Sequence, residues 1–320
     1  MLHSAVLPIF WLDDNRLLYE GYEPNLKWVR KGDGKEVVKK GVYVLDLLRD
    51  KHVRHADAEG FLCYRDGFVR YLLSYDGNSR VAIVREGKFG EERDVVHDRK
   101  AQSPSISLNP LTCLDYDRRE ISRISDYSAP LLPRHGVLEF GRRDRDKTIE
   151  YYPARVHPPQ PGEPSTLPID GQAIGGRQIA YFEFSDTYIV GYRAPSFAPR
   201  NQWPNGASHY VYTLIPPKEV QEIRIPGGPW SDQIPLRHFS LTSVGIVFAG
   251  GTIKGRPGQE NVGLYLVRNS NVIKIASGLL NGVGVSPSGC KLAVAMQTLL
   301  KSPDPSIIRV FDFCIGSSKR

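Results

Sequence analysis

The sequence predicts an all-β fold assembled from a repeated four-stranded unit. Short runs rich in Thr, Val, Ile, Tyr and Phe recur along the chain, separated by Gly, Pro, Asn and Asp. The 30 glycines and 24 prolines are spread throughout, as a turn-rich β protein requires, and are not gathered in one linker. No long segment carries a helical stripe of apolar residues. The best candidate for one, Gly41 to Arg49, reads better as a strand, with Val42, Val44 and Asp46 set against Tyr43, Leu45 and Leu47.

The strands group into a repeating unit: a short strand, a tight turn, a strong apolar strand, a variable loop, then two more strands. The first unit is Leu7–Trp11, Arg16–Tyr22, Gly41–Leu47 and His52–Ala56, with its turn at Asp13-Asp14-Asn15. The second is Gly60–Tyr64, Phe68–Tyr75, Arg80–Glu86 and Glu92–Val96. A later unit runs Gln178–Phe184, Tyr188–Arg193, His209–Ile215 and Val220–Ile225. The next is Leu236–Leu241, Gly245–Gly250, Gly263–Arg268 and Val272–Ala276. The last is Gly282–Ser286, Cys290–Gln297 and Ile307–Cys314. The stretch from Ser103 to Arg155 has room for one more, poorly patterned unit. Four-stranded units at such a period are propeller blades. The expected architecture is a single β-propeller domain over residues 1–320, with about six blades and seven as the alternative. The last unit shows only three strands, so Leu2 to Val6 is expected to complete it and close the ring.

Two segments resemble a known family. Val285-Ser286-Pro287-Ser288-Gly289-Cys290-Lys291-Leu292-Ala293-Val294 is similar to the Ser-Pro-Asp-Gly signature of TolB-type, WD40-like propellers. Phe10-Trp11-Leu12-Asp13-Asp14-Asn15-Arg16-Leu17-Leu18-Tyr19 is a degenerate version. Ser288 departs from the usual Asp, and the middle units lack the pattern. In physical terms, a polar tight turn joins the innermost strand to the next. The resemblance implies a fold, and function only by analogy, because propellers host many functions.

Composition narrows the class. With 320 residues, 41% hydrophobic and 24% charged, the chain has the make-up of a globular domain with a large core. It has no apolar run long enough to span a membrane. Met1 to Phe10 lacks the basic start and small-residue cleavage site of a signal peptide. The net charge of +7 favours anionic partners over cationic ones, and a monomer is expected.

The signatures of nucleotide and hydrolytic sites are absent: no G-x-x-x-x-G-K-[ST], G-x-G-x-x-G, H-E-x-x-H or G-x-S-x-G. No cofactor and no metal are therefore expected. His52 and His55 lie three apart on one strand, which sends them to opposite faces and away from a shared ion. Inner strands line a propeller's channel. The assigned ones are mostly apolar, with Glu183, Arg237 and His238 as channel candidates, although His238 reads better as a packed inter-blade residue.

The four cysteines contain no C-x-x-C pair. Cys290 and Cys314 fall opposite each other if the last two strands pair with an index sum of 604, which also pairs Val294 with Val310 and Leu292 with Asp312. A disulfide there would stabilise by roughly 3 kcal/mol and imply a periplasmic or secreted protein. Two buried thiols in contact, in a cytoplasmic protein, are the alternative. Cys63 and Cys113 read as separate buried hydrophobes.

The candidate binding face is made of the loops between second and third strands. The first carries Lys27, Trp28, Arg30, Lys31, Lys35, Lys39 and Lys40. Arg200 and Trp203 lie in a later one, Lys254 and Arg256 in the next, and Lys301 in the last. Long loops on a rigid scaffold tend to carry function, and cations interleaved with Trp suit an acidic ligand. The expected function is a binding or scaffold propeller that recognises a protein partner or anionic ligand. A nucleic-acid strand is the less favoured partner. The alternative is a hydrolase or lyase acting in the central channel.

Overall fold

A computed structural model describes residues 9–21, 41–65, 67–76, 78–79, 81–98, 131–132, 136–145, 148–158, 162–170, 180–193, 208–228, 230, 236–250, 261–297 and 307–314. The chain divides into two compact units, residues 1–124 and residues 125–320. The described residues are mostly strand and turn, with a turn of 3-10 helix at Glu183–Ser185. No helix among them is long and apolar enough to cross a membrane.

The described residues of the first unit form two antiparallel meanders. One is β1 (Ile9–Asp13), β2 (Arg16–Gly21), β3 (Gly41–Asp46) and β4 (Lys51–Asp57). The other is β5 (Gly60–Arg65), β6 (Phe68–Asp76), β7 (Val81–Lys88) and β8 (Arg93–Asp98). They pack face to face through Leu18, Val42 and Ala56 of one against Phe61, Val69 and Tyr71 of the other.

The described residues of the second unit form four sheets. The first of these is β9 (Leu131–Leu132), β10 (Gly136–Arg145), β11 (Thr148–His157) and β12 (Ser165–Asp170). Next come β13 (Ala180–Phe182), β14 (Thr187–Arg193), β15 (His209–Ile215) and β16 (Glu219–Ile225). Then follow β17 (Arg237–Thr242), β18 (Gly245–Gly250), β19 (Gly263–Arg268) and β20 (Asn271–Ser277). A three-stranded sheet ends the described chain: β21 (Leu279–Val285), β22 (Lys291–Gln297) and β23 (Ile307–Asp312). Each packs on the next. Leu138 and Val156 meet Tyr188 and Leu214; Ile189 and Val211 meet Phe239 and Phe248; Val247 and Leu264 meet Leu292 and Val294.

Burial on both faces explains the sequence pattern. The middle strands are sandwiched, so β14 reads Tyr188-Ile189-Val190 with no alternation and all three residues are buried. The fourth strands face solvent on one side and do alternate, as in Glu219-Val220-Gln221.

Two expectations are corrected. The poorly patterned unit, expected within Ser103 to Arg155, has its described strands at Leu131–Asp170 instead. Of its ten-residue strands β10 and β11, the first ends in Arg142, Arg143, Asp144 and Arg145, a charge run that reads as loop. The β22–β23 register has index sum 603, one less than expected. Val294 therefore faces Arg309, and Val310 faces Ala293. The physical reason lies in the mismatch that the sum of 604 created. In the observed register Leu292 meets Phe311, and Asp312 meets Lys291 in place of Leu292.

Cys290 and Cys314 are nevertheless disulfide-bonded, with Cα atoms 5.3 Å apart. Both lie just past the last rung of the ladder, where Phe313 N donates to Cys290 O, so the pleat no longer dictates where their side chains point. Leu2 to Val6 and Cys113 lie outside the described residues, as does the side chain of Cys63.

Candidate functional site

In the second unit, tight turns join the first strand to the second and pack on one another. Gly289, in the β21–β22 turn, has φ +73, and a Cβ built on it would stand 2.8 Å from the Phe184 ring of the β13–β14 turn. Its carbonyl accepts the amide of Ser243 from the β17–β18 turn at 2.9 Å. These three sheets therefore share one end. Strands β14, β18 and β22 run away from it and finish at Arg193, Gly250 and Gln297. With six or seven residues per strand, those finishing points lie about 20 Å from the stitched turns. All three strands therefore end on the side opposite the turns, and residues 194–207, 251–262 and 298–306 follow those ends in sequence. The link from β16 to β17 lies on that side too, because Ile225 pairs with His209 at the start of β15.

The described rim of this loop side is cationic and aromatic. Arg193 closes β14 with its guanidinium 4.3 Å from the Tyr210 ring centre and 5.9 Å from that of Tyr212. Glu222 accepts from Arg193 at 3.3 Å and from the Tyr212 hydroxyl at 2.7 Å. Burial, reinforced by Glu222, pushes the Tyr212 phenol up to about 12, so it stays a donor. Arg224 is tied to Ser208 at 2.8 Å. Trp230, in the β16–β17 link, donates its indole N–H to Pro226 O at 3.2 Å and packs on Gly228, Gly250 and Tyr265. A Cβ at Gly228 would come within 2.4 Å of the Trp230 ring, so glycine lets the indole lie against the backbone. Lys274 sits 5.9 Å over Tyr265, whose hydroxyl donates to Asn261 O. Beneath the rim, Tyr192 and Nδ1 of the buried His209 share a 2.5 Å hydrogen bond, and burial depresses the imidazole to about 4.

The loop residues Lys27, Trp28, Arg30, Lys31, Arg200, Trp203, Lys254 and Arg256 lie outside the described residues, as do Lys35, Lys39, Lys40 and Lys301. The channel candidates are not brought together. Glu183 lies in the 3-10 turn beside the stitched end, and its side chain is exposed. Arg237 and His238 start β17 at the loop end, separated from Glu183 by most of a strand's length. His238 occupies a bulge, since Arg237 pairs with Ala249 while Ser240 pairs with Val247, and its φ is +53. Bulged, left-handed backbone re-aims a side chain, and histidine is among the few residue types that tolerate it.

The first unit contains a polar cluster that no sequence motif announces. His55 Nε2–H donates to Glu92 at 2.9 Å, and the Tyr71 hydroxyl donates to the same oxygen at 3.0 Å. Phe89 stacks on the imidazole at 4.5 Å. Two positive-φ glycines, Gly87 and Gly90, shape the turn that brings Phe89 and Glu92 to His55. Burial opposes ionisation of Glu92, but the Gly90 amide and His55 outweigh it and hold the carboxyl below its usual range. His52, on the other face of β4, pairs with the Tyr19 hydroxyl at 2.7 Å, so the two histidines do point apart. The 37 residues between His55 and Glu92 explain why spacing could not reveal the contact.

The chain matches no protein-family model and no curated protein. Among solved structures it is similar to the β-propeller domain of the Trilobed protease from Pyrococcus furiosus, at 10% identity and a TM-score of 0.38, over 97% of this chain and 82% of that one. It is similar to TolB from Acinetobacter baumannii at 10% identity and a TM-score of 0.34, over 86% of this chain and 63% of that one. The β-propeller domain of Cps50 (Swd1) from Myceliophteria thermophila matches at 12% identity and a TM-score of 0.32, over 94% of this chain and 82% of that one. What the chain shows by itself is the expected all-β fold: among the described residues, five antiparallel sheets of four strands and one of three.

Proposed function

We propose that the chain is a binding propeller whose loop side captures an acidic peptide segment of a protein partner. The observation that supports this most is that β14, β18 and β22 finish at one end of the unit, where Arg193, Arg224, Trp230 and Lys274 lie. The residues that follow those strands in sequence include Arg200, Trp203, Lys254, Arg256 and Lys301, the same interleaving of cations and aromatics as the rim. Carboxylates approaching such a surface gain charge-assisted hydrogen bonds and cation-rich aromatic contacts.

The test uses a fluorescent oligoglutamate peptide and the full chain at low salt. Reversing Arg200, Lys254 and Arg256 to Glu is expected to weaken binding at least tenfold, with the melting temperature followed in parallel to separate lost binding from lost stability. Unaltered affinity in the triple variant overturns the reading. Reversal of Lys27, Arg30, Lys31 and Lys35 tests in the same way whether the first loop contributes.

A further inference from the structure

The disulfide lies where the stitched turns meet. Gly289, which precedes Cys290, carries the carbonyl that accepts Ser243 N at 2.9 Å, and Ser243 Oγ lies 3.5 Å from Cys314 Sγ. Ser288 Oγ accepts the Cys290 amide at 3.2 Å, and Ser286 Oγ accepts the Lys291 amide at 3.0 Å, so the turn has its own polar frame. The cysteines are half-buried rather than sealed in the core. The bond also lies outside the β22–β23 ladder, whose six rungs from Lys291–Asp312 to Met296–Ile307 do not depend on it.

We propose that Cys290–Cys314 is a redox-sensitive latch, which a dithiol reductant can open in the folded protein, and which sets how firmly Ser243 docks on the β21–β22 turn. The chemistry is thiol–disulfide exchange. A thiolate of the reductant attacks one cysteine sulfur, the S–S bond breaks, and the displaced cysteine leaves as a thiolate that takes up a proton. The reductant's second thiol then displaces the remaining cysteine and closes a cyclic disulfide. The protein gains two electrons and two protons, and the dithiol loses them. Two features make the native state reducible: an accessible edge for attack, and a ladder that holds the sheet together afterwards. With the bond open, Cys314 is no longer tethered to the turn. The contact between Ser243 Oγ and its sulfur is lost, and the Ser243–Gly289 hydrogen bond frays more often.

The experiment treats the full chain with dithiothreitol without denaturant. Cysteines are trapped with iodoacetamide, mapped by peptide mass spectrometry, and the amide exchange of the peptide around Ser243 is followed in parallel. Both Cys290 and Cys314 are expected to become alkylated while the far-ultraviolet circular dichroism stays unchanged. Exchange at Ser243 should rise at least tenfold, and reoxidation should restore its protection. Alkylation no faster than global unfolding overturns the latch, and so does Ser243 protection that ignores the redox state. The Cys290→Ser, Cys314→Ser double variant should show the fast exchange with or without dithiothreitol. If that variant fails to fold, the wild-type reduction still decides the outcome.

Discussion

His55 and Glu92 join two neighbouring sheets of the first unit through a 2.9 Å hydrogen bond between side chains that stand 37 residues apart. Glu92 also holds the Tyr71 hydroxyl, so one carboxylate satisfies two donors in a largely buried place. This pairing, unlike the surface pairs such as Arg85–Asp94, sits where an unmet polar group is expensive.

Glu92→Ala is expected to destabilise the protein by about 2–3 kcal/mol, because both Tyr71 and His55 lose their acceptor. Glu92→Gln keeps a carbonyl oxygen and should cost less. Urea denaturation at neutral pH checks the order. The wild-type contribution should also fade in acid. A carboxyl held below its ordinary pKa adds stability above the unfolded value, and loses it as pH falls through the folded one. Equal losses for the two substitutions would show that the acceptor is not what matters.

His209 works in the opposite chemical sense with the same direction in pH. Burial lowers its folded value from 6.5 to about 4, so between those limits the unfolded chain binds the extra proton. Stability therefore rises with pH across that window, by up to about 3 kcal/mol for this group. In His209→Asn the term is absent. The stability gap between wild type and variant should narrow as pH drops from 6.5 towards 4, as read by chemical denaturation at a series of pH values. A gap that stays constant would show that His209 is not buried in its neutral form.

Gly289 is required twice over, by its φ of +73 and by the Phe184 ring 2.8 Å from where a Cβ would stand. Gly289→Ala should cost at least about 1–2 kcal/mol. Removing the ring first with Phe184→Ala should reduce that cost without abolishing it, since the backbone conformation still disfavours a side chain. A double-mutant cycle on melting temperature measures the coupling, and strict additivity would mean that the ring does not press on the turn.

Much of the fold was legible in the chain. Strands β2, β3, β6, β14, β15, β18 and β19 lie where their apolar runs place them, because these runs are sandwiched between sheets and a buried strand leaves a continuous signal. The disulfide was legible too, from two cysteines at matching ends of the last pair of strands. The Leu131–Asp170 sheet was not, because Arg and Asp at the end of β10 imitate a loop. The register of β22 on β23 was missed by one residue: index arithmetic centred the pairing on the cysteines, whereas the ladder is chosen by Leu292 on Phe311 and Lys291 on Asp312.

The sequence by itself determined the β class, the repeated sheet and the basic loops between second and third strands, because strand periodicity and turn chemistry are local properties of a chain. Only the tertiary structure decided which residues meet across sheets: His55 with Glu92, Tyr192 with His209, and Phe184 and Ser243 with Gly289. It also put Glu183 and His238, both channel candidates in the sequence, at opposite ends of their strands. The reason is geometric. Partners in adjacent sheets are separated by whole strands and turns, and their approach depends on face-to-face packing and on bulges such as the one at His238, neither of which leaves a fixed spacing in the sequence.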